Sequence, residues 1–176
     1  MENFVNATVD FIRQNQLWGP PIVAALAFGE SVVILSFFVP GVGIIFALGA
    51  AAGVAGGISF WPLWSGVVIG AALGNLISWW IGVHYGHVFK EWKPIRERPQ
   101  ILAASEAAIK RWGVLAIFIG RFFGPLHGTV ATLAAMGGLN AMAFHIANWL
   151  SAMVWAGVIL YAGMTGGDLA RRLFGG

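Results

Sequence analysis

Two long stretches of this sequence contain no formally charged side chain. The first comprises residues 31–89, between Glu30 and Lys90, and the second comprises residues 122–167, between Arg121 and Asp168. A membrane-spanning helix needs about 20 consecutive apolar residues, so each stretch can hold more than one embedded helix. Charged residues make up only 10% of the chain, whereas soluble domains carry about 25%. The sequence therefore predicts a multi-pass, all-α integral protein of the cell membrane, with one domain over residues 1–176.

The composition also excludes several classes of function. The chain has no cysteine, so it has neither disulfides nor thiolate metal sites. The formal net charge is only +3, and most basic residues fall in one loop, which favours membrane orientation over nucleic-acid binding. The only aspartates, Asp10 and Asp168, lie near the ends, and zinc, serine-hydrolase and nucleotide-binding motifs are absent from the sequence. We therefore expect no enzyme, no cofactor and no metal.

Charged residues outside the two stretches divide the chain. Residues 2–15 have apolar side chains on one helical face and predict an amphipathic helix lying in the membrane interface. Their N-terminus lacks the basic region of a signal peptide. Residues 87–113 form a charged linker with a short helix, which begins near Pro99 and ends near Gly113. The excess of basic residues favours the cytoplasmic side for this linker, although Arg171 and Arg172 favour that side for the C-terminus too.

The two halves of the chain share an interrupted apolar segment. A shift of 85 residues aligns residues 37–43 with residues 122–128, and both copies read Phe-Phe-x-Pro-x-x-Gly. Proline and glycine at membrane depth predict broken helices, and matched broken segments point to the central site of a transporter. We predict two re-entrant helical hairpins, 20–57 and 112–138, each followed by a full span, 60–83 and 141–166. The repeats, 20–83 and 112–166, would form a pseudo-inverted pair. Gly66, Gly70 and Gly74 would let another helix approach the first span closely.

Glu30 is the first candidate for chemistry, because it lies between apolar residues on both sides. Hydrocarbon disfavours a charged carboxylate, so a buried Glu30 would take up and release a proton. The alternative is a solvated position at the interface, which the short segment from Leu17, containing Pro20 and Pro21, leaves open.

Arg121 is the second candidate, because a guanidinium in an apolar segment keeps its charge and needs a partner, a watery cavity or an anion. Gly120, Gly124 and Gly128 recur around it at four-residue spacing, and His127 follows. A planar cation beside exposed backbone N–H groups predicts a phosphate-sized anion site, with His127 assisting. The alternatives are contact with a lipid headgroup and a static pair with Glu30.

Pro40, Gly41 and Pro125 are assigned structural roles in the breaks, and Asn75 a packing role in the first span.

These motifs resemble the DedA family, also called SNARE-associated or VTT-domain membrane proteins, over residues 20–165. The run from Gly120 to His127 resembles its Gly-Arg-Phe-x-Gly-Pro-x-Arg signature, with histidine where the second arginine is usual. Glu30-Ser31 followed by Pro40-Gly41 resembles the first family motif, with Val42 where some branches carry an acid. Gly74-Asn75 with Trp79 and Gly82 resembles a helix that usually carries aspartate at the Asn75 position.

The resemblance implies facing re-entrant loops and the transport of undecaprenyl phosphate or a phospholipid headgroup, with proton coupling. Membrane lipids and protons are then the expected partners, and a homo-oligomer is compatible with this interpretation. Two alternatives remain open at this point. One is transport of a small oxyanion or cation, and the other is a structural or assembly protein in which Glu30 and Arg121 form a static pair.

Overall fold

The structure, a computed structural model, describes residues 7, 11, 14–37, 41–55, 59–91, 93–97, 99–122 and 129–174. These residues form helices and turns and contain no strand. Among the described residues, seven helices are longer than one turn: α1 (Gly19–Ser31), α2 (Gly41–Ala55), α3 (Phe60–Glu91), α4 (Pro99–Trp112), α5 (Val114–Phe122), α6 (Val130–Met136) and α7 (Ala141–Phe174). The predicted all-α class is confirmed for this part of the chain.

Two of these helices are long and apolar enough to cross a membrane. The qualifying stretches are Phe60–Val88 in α3 and Ala141–Gly167 in α7. Helices α1, α2, α5 and α6 have 13, 15, 9 and 7 residues, fewer than the 20 or so that one span requires. The apolar sequence outside α3 and α7 is therefore divided into short helices.

The two long helices continue beyond the predicted spans, 60–83 and 141–166. Helix α3 ends at Glu91 and α7 at Phe174, whereas their apolar stretches of spanning length end at Val88 and Gly167. The prediction placed each end where polar residues begin, whereas a helix continues into a polar region when no residue there breaks it. Non-helical backbone angles at Tyr85 mark a kink in α3 at this transition.

The short helices pack against the long helices in a crossed pattern. Helix α1 lies along α3, while α2, the next helix in the chain, lies along α7. In the second half of the chain, α5 lies along α7, while α6 lies along α3. Each broken segment therefore contributes its first helix to the long helix that follows it and its second helix to the other long helix.

Glycine permits the closest of these contacts. A Cβ at Gly66 would lie 2.5 Å from the Pro20 carbonyl oxygen of α1, and a Cβ at Gly74 would lie 2.5 Å from the Phe28 carbonyl oxygen. A Cβ at Gly70 would overlap the Ala24 carbonyl oxygen of the same helix. The predicted glycine face of the first span is thus a helix-packing face, and its partner is α1. On the other side of the molecule, a Cβ at Gly49 of α2 would lie 2.6 Å from the Leu160 carbonyl oxygen of α7.

The linker contains the predicted short helix. Helix α4 starts at Pro99, and Gly113 follows its last residue with φ +54°, a backbone conformation that favours glycine. Lys93 and Glu97 form an exposed ion pair at 3.9 Å in the same linker. The predicted interfacial helix at residues 2–15 lies largely outside the described residues.

Candidate functional site

Arg121 is the penultimate residue of α5 and is only 1% exposed. The preceding residue, Gly120, brings α5 against the start of α6, because a Cβ there would lie 2.5 Å from Val130 Cγ2. The arginine is therefore enclosed where α5 and α6 meet the long helices. A buried guanidinium needs hydrogen-bond acceptors, since it retains its charge in the protein interior.

An asparagine of α7 supplies one acceptor. Arg121 Nη2 donates to Asn148 Oδ1 at 2.7 Å. Asn148 Nδ2 in turn donates to the backbone carbonyl oxygen of Ala72 in α3, at 3.0 Å. Asn148 is fully buried, and the bond to Ala72 fixes which end of its amide faces the arginine.

Asn75 of α3 supplies the second acceptor. In one orientation of the Asn75 amide, Nδ2 lies 3.2 Å from Asn148 Oδ1 and also faces the donors of the guanidinium. In the reversed orientation, Asn75 Oδ1 accepts from Arg121 Nη2, and Nδ2 donates to the Ser31 carbonyl oxygen at 3.2 Å. We adopt the reversed orientation because it gives both ends of the Asn75 amide a suitable partner. Asn75 then connects Arg121 with the end of α1.

Ser78, one turn after Asn75, joins the long helix α3 to both broken segments. Its hydroxyl donates to the Ser31 carbonyl oxygen and accepts from the Val33 backbone N–H, both at 2.9 Å. Thr132 of α6 donates its hydroxyl to the Ser78 carbonyl oxygen at 2.8 Å. The two bonds of the Ser78 hydroxyl satisfy backbone groups where α1 ends, as a broken helix in an apolar environment requires.

Glu30 is the penultimate residue of α1 and is 9% exposed. Its carboxylate lies against the first residue of α2, because a Cβ at Gly41 would overlap Glu30 Oε2. The Val42 backbone N–H donates to the carboxylate. Oε2 is buried and has no hydrogen-bond partner among the described residues. The end of α1 thus folds back onto the start of α2, where the N-terminus of a helix favours a carboxylate.

Five of the predicted site and motif residues fall within the described residues, namely Glu30, Gly41, Asn75, Gly120 and Arg121. The structure brings Arg121 to Asn75 and brings Glu30 to Gly41. The other five, Pro40, Gly124, Pro125, His127 and Gly128, lie outside the described residues.

Several polar partners at the site were not predicted from the sequence. These are Ser31, Ser78, Thr132 and Asn148. A signal for two of them is present, because Asn-x-x-Ser occurs once in each long helix, at Asn75–Ser78 and at Asn148–Ser151. Residues three apart share a helix face, so the repeated pattern marks one polar face on each span.

The comparisons with known proteins assign a family to this architecture. Residues 39–165 match the VTT domain, so the chain belongs to the VTT-domain (DedA) family of membrane proteins. It is 29% identical to the inner membrane protein YabI of Escherichia coli, over 89% of this chain and 61% of YabI. It is 28% identical to the inner membrane protein YghB of the same organism, over 78% of this chain and 63% of YghB. An uncharacterized membrane protein of Mycobacterium tuberculosis is 30% identical, over 82% of this chain and 72% of that protein.

The chain spans about three fifths of the length of YabI and of the similar Buchnera membrane proteins. No solved structure matches it. Family membership, the names of the relatives and the two apolar helices agree on a membrane location. The chain is therefore a multi-pass protein of the cell membrane, as its charge distribution predicts.

Proposed function

We propose that this chain is a transporter, not an enzyme, and that it moves a lipid with a phosphate headgroup across the bilayer. Arg121 binds the phosphate, assisted by His127 and by the backbone at Gly120, Gly124 and Gly128. Glu30 takes up and releases the coupled proton. The observation that carries the proposal is the pair of buried, oppositely charged residues at the ends of two interrupted helices, α1 and α5. Ionisable groups at membrane depth carry a large free-energy cost and usually serve transport.

The proposed pathway lies between two re-entrant hairpins, α1–α2 and α5–α6. Their short lengths support this arrangement, because none of the four helices reaches the length of a span. The crossed packing supports a pseudo-inverted repeat, since the first helix of each segment packs on the long helix that follows it and the second helix packs on the other one. Ser78 of α3 bonds to Ser31 at the end of α1 and to Thr132 of α6, so one polar residue of α3 contacts both segments.

The proposed substrates are undecaprenyl phosphate or a related phospholipid. Both present a phosphate that a guanidinium binds by two parallel hydrogen bonds, and both keep their apolar chains in the bilayer. Small oxyanions share the headgroup chemistry but lack the chains. A transport assay that offers a phosphate lipid together with inorganic phosphate separates these two classes of substrate. Inorganic phosphate would abolish lipid movement only if the site accepts a headgroup without its apolar chains.

The test is lipid translocation in vesicles that contain the purified protein and a labelled polyprenyl phosphate or phospholipid. Arg121→Lys preserves the charge but replaces the planar fork with a compact ammonium. We expect it to insert normally and to lose most transport, because a lost charge-assisted hydrogen bond costs about 1.5–3 kcal/mol. The matched control is Arg111→Lys, at an exposed position in α4, which should transport like the wild type. Equal transport by the wild type and Arg121→Lys would refute the phosphate-binding role.

The structural alternative has its own test. If Glu30 and Arg121 formed a static pair, the double variant Glu30→Arg, Arg121→Glu would retain the pair and the function. The described contacts of the two residues involve different partners, Gly41 and Val42 for Glu30, and Asn75 and Asn148 for Arg121. We therefore expect the swapped variant to lose transport completely.

A further inference from the structure

We infer that Asn148, together with Asn75, positions Arg121 for anion binding by holding one nitrogen of its guanidinium between the two long helices. The inference rests on the proposed function and adds two positioning residues to the same site. Both amides are 0% exposed, and they lie on different helices, α7 and α3. We call this set of residues, Arg121, Asn75 and Asn148, the amide clamp.

The clamp fixes the orientation of the guanidinium, not only its position. Asn148 Nδ2 is held by the Ala72 carbonyl oxygen, and Asn75 Nδ2 by the Ser31 carbonyl oxygen. Each amide therefore turns its oxygen toward Arg121 Nη2. Because a guanidinium is planar and its donors form a rigid fork, two acceptors on one nitrogen restrain the direction of the whole plane.

The chemistry of the two acceptors suits an anionic substrate. An amide oxygen accepts a hydrogen bond from the guanidinium without adding a negative charge beside it. A carboxylate in the same place would form a bidentate ion pair and would compete with a phosphate for the same donors. The clamp thus holds the arginine by groups that do not repel the substrate.

The clamp also links Arg121 to the segment that carries Glu30. Asn75 bonds to the carbonyl of Ser31, which directly follows Glu30. Ser78 bonds to the same carbonyl. A displacement at the end of α1 therefore changes a hydrogen bond of the residue that orients Arg121, which provides a physical connection between the two breaks.

The test compares three single variants of α7 in the vesicle transport assay. Asn148→Ala removes the acceptor, whereas Asn148→Asp keeps an acceptor of the same size and adds a charge. The control is Ser151→Ala, one turn further on the same face, because Ser151 is also fully buried and its hydroxyl bonds to the Asn148 carbonyl of its own helix. For both Asn148 variants we expect KM for the phosphate lipid to rise by about tenfold or more. Ser151→Ala should keep the wild-type KM.

KM separates positioning from a structural role, because KM is measured on the molecules that fold. If the clamp only stabilised the fold, Asn148→Ala would lower the amount of folded protein and leave KM unchanged, and a wild-type KM in Asn148→Ala therefore overturns the inference while the proposed function stands. If Asn148→Ala yields too little folded protein, Asn75→Ala removes the other acceptor and is read in the same way. In the Arg121→Lys background, Asn148→Ala should add little further loss, because the oriented fork is already gone. A wild type that moves no phosphate lipid would overturn both proposals.

Discussion

Arg121 and Glu30 occupy the same position in two different helices, one residue before the C-terminal end. Their surroundings differ, because the arginine meets side-chain amides of the long helices and the glutamate meets the start of the next helix in its own segment. In the proposed mechanism, the arginine binds the substrate and the glutamate exchanges the proton. Each role can be tested by a single substitution.

The proton-exchange role predicts the behaviour of Glu30→Gln. Glutamine keeps the size and hydrogen bonding of the side chain but cannot exchange a proton, so transport should vary less with pH than in the wild type. Folding and insertion should be normal. The matched control is Glu97→Gln in the exposed linker, which should keep the wild-type pH profile. A Glu30→Gln variant with an unchanged profile in reconstituted vesicles would remove Glu30 from the coupling.

Gly41 contacts Glu30 and Gly43 does not, although both lie in the first turn of α2. We therefore expect the two glycines to respond differently to substitution by alanine. A Cβ at Gly41 overlaps Glu30 Oε2 and lies 3.1 Å from Glu30 Cβ, whereas a Cβ at Gly43 has no atom within 4 Å. Gly41→Ala should therefore displace the carboxylate and reduce transport, with at most a small change in thermal stability. Gly43→Ala should transport normally, and its stability should rise by up to about 1 kcal/mol because alanine favours the helix. Equal transport by the two variants would mean that the position of the carboxylate does not matter.

The ionisable residues of the site were predictable from the sequence, but their partners were not. Glu30 and Arg121 are conspicuous because charges are rare in apolar segments, and the surrounding prolines and glycines locate the breaks. Asn148 and Ser78 each belong to an Asn-x-x-Ser pair in a long apolar helix, and such a pair indicates a polar helix face without indicating its partner. Their importance depends on which faces of α3 and α7 meet the broken segments, and that contact is not encoded in local spacing.

At the scale of elements, the glycine face of α3 determines how closely α1 approaches. The atoms that a Cβ at Gly70 would meet belong to the backbone of Ala24, so the helices would have to separate. We expect Gly70→Ala to destabilise the protein by about 1–3 kcal/mol, as overpacking does in a dense interior. The control is Gly157→Ala in α7, where the nearest atom, Trp64 Nε1, lies at an ordinary 3.6 Å. Thermal unfolding in detergent measures both, and equal unfolding temperatures would contradict the close packing.

The segmentation of the chain was largely predictable, whereas its packing was not. The predicted hairpin ranges, 20–57 and 112–138, cover α1 from its second residue onward with α2, and α5 with α6. Pro40 and Pro125 lie in the sequence between the two helices of each range, and proline fits the interior of a helix poorly. The crossing of α2 to α7 and of α6 to α3 depends on contacts between residues far apart in the chain. The matched motif indicates a repeat but does not specify which helices exchange partners.

At the scale of the whole molecule, α3 and α7 each pack against a helix from both halves of the chain, and we predict that the two turns face each other. The chain has no cysteine, so an introduced pair at Val42 and Leu126 should crosslink specifically in membranes. A pair at Val42 and Glu97, in the charged linker, serves as the control and should not crosslink. If Val42 and Leu126 do not crosslink, and the two ends of each segment are accessible from opposite sides of the membrane, then the segments are continuous spanning helices instead of hairpins.

Equilibrium binding of a polyprenyl phosphate to the purified protein tests the central claim most directly, because it examines Arg121 and the phosphate without the later steps of transport. We predict saturable binding by the wild type and by Arg111→Lys. For Arg121→Lys we predict an affinity lower by about one to two orders of magnitude, the equivalent of one charge-assisted hydrogen bond. The corresponding polyprenol, which lacks the phosphate, should bind all three proteins equally weakly. Equal affinity of the wild type and Arg121→Lys for the phosphate would contradict the claim that this arginine recognises the headgroup.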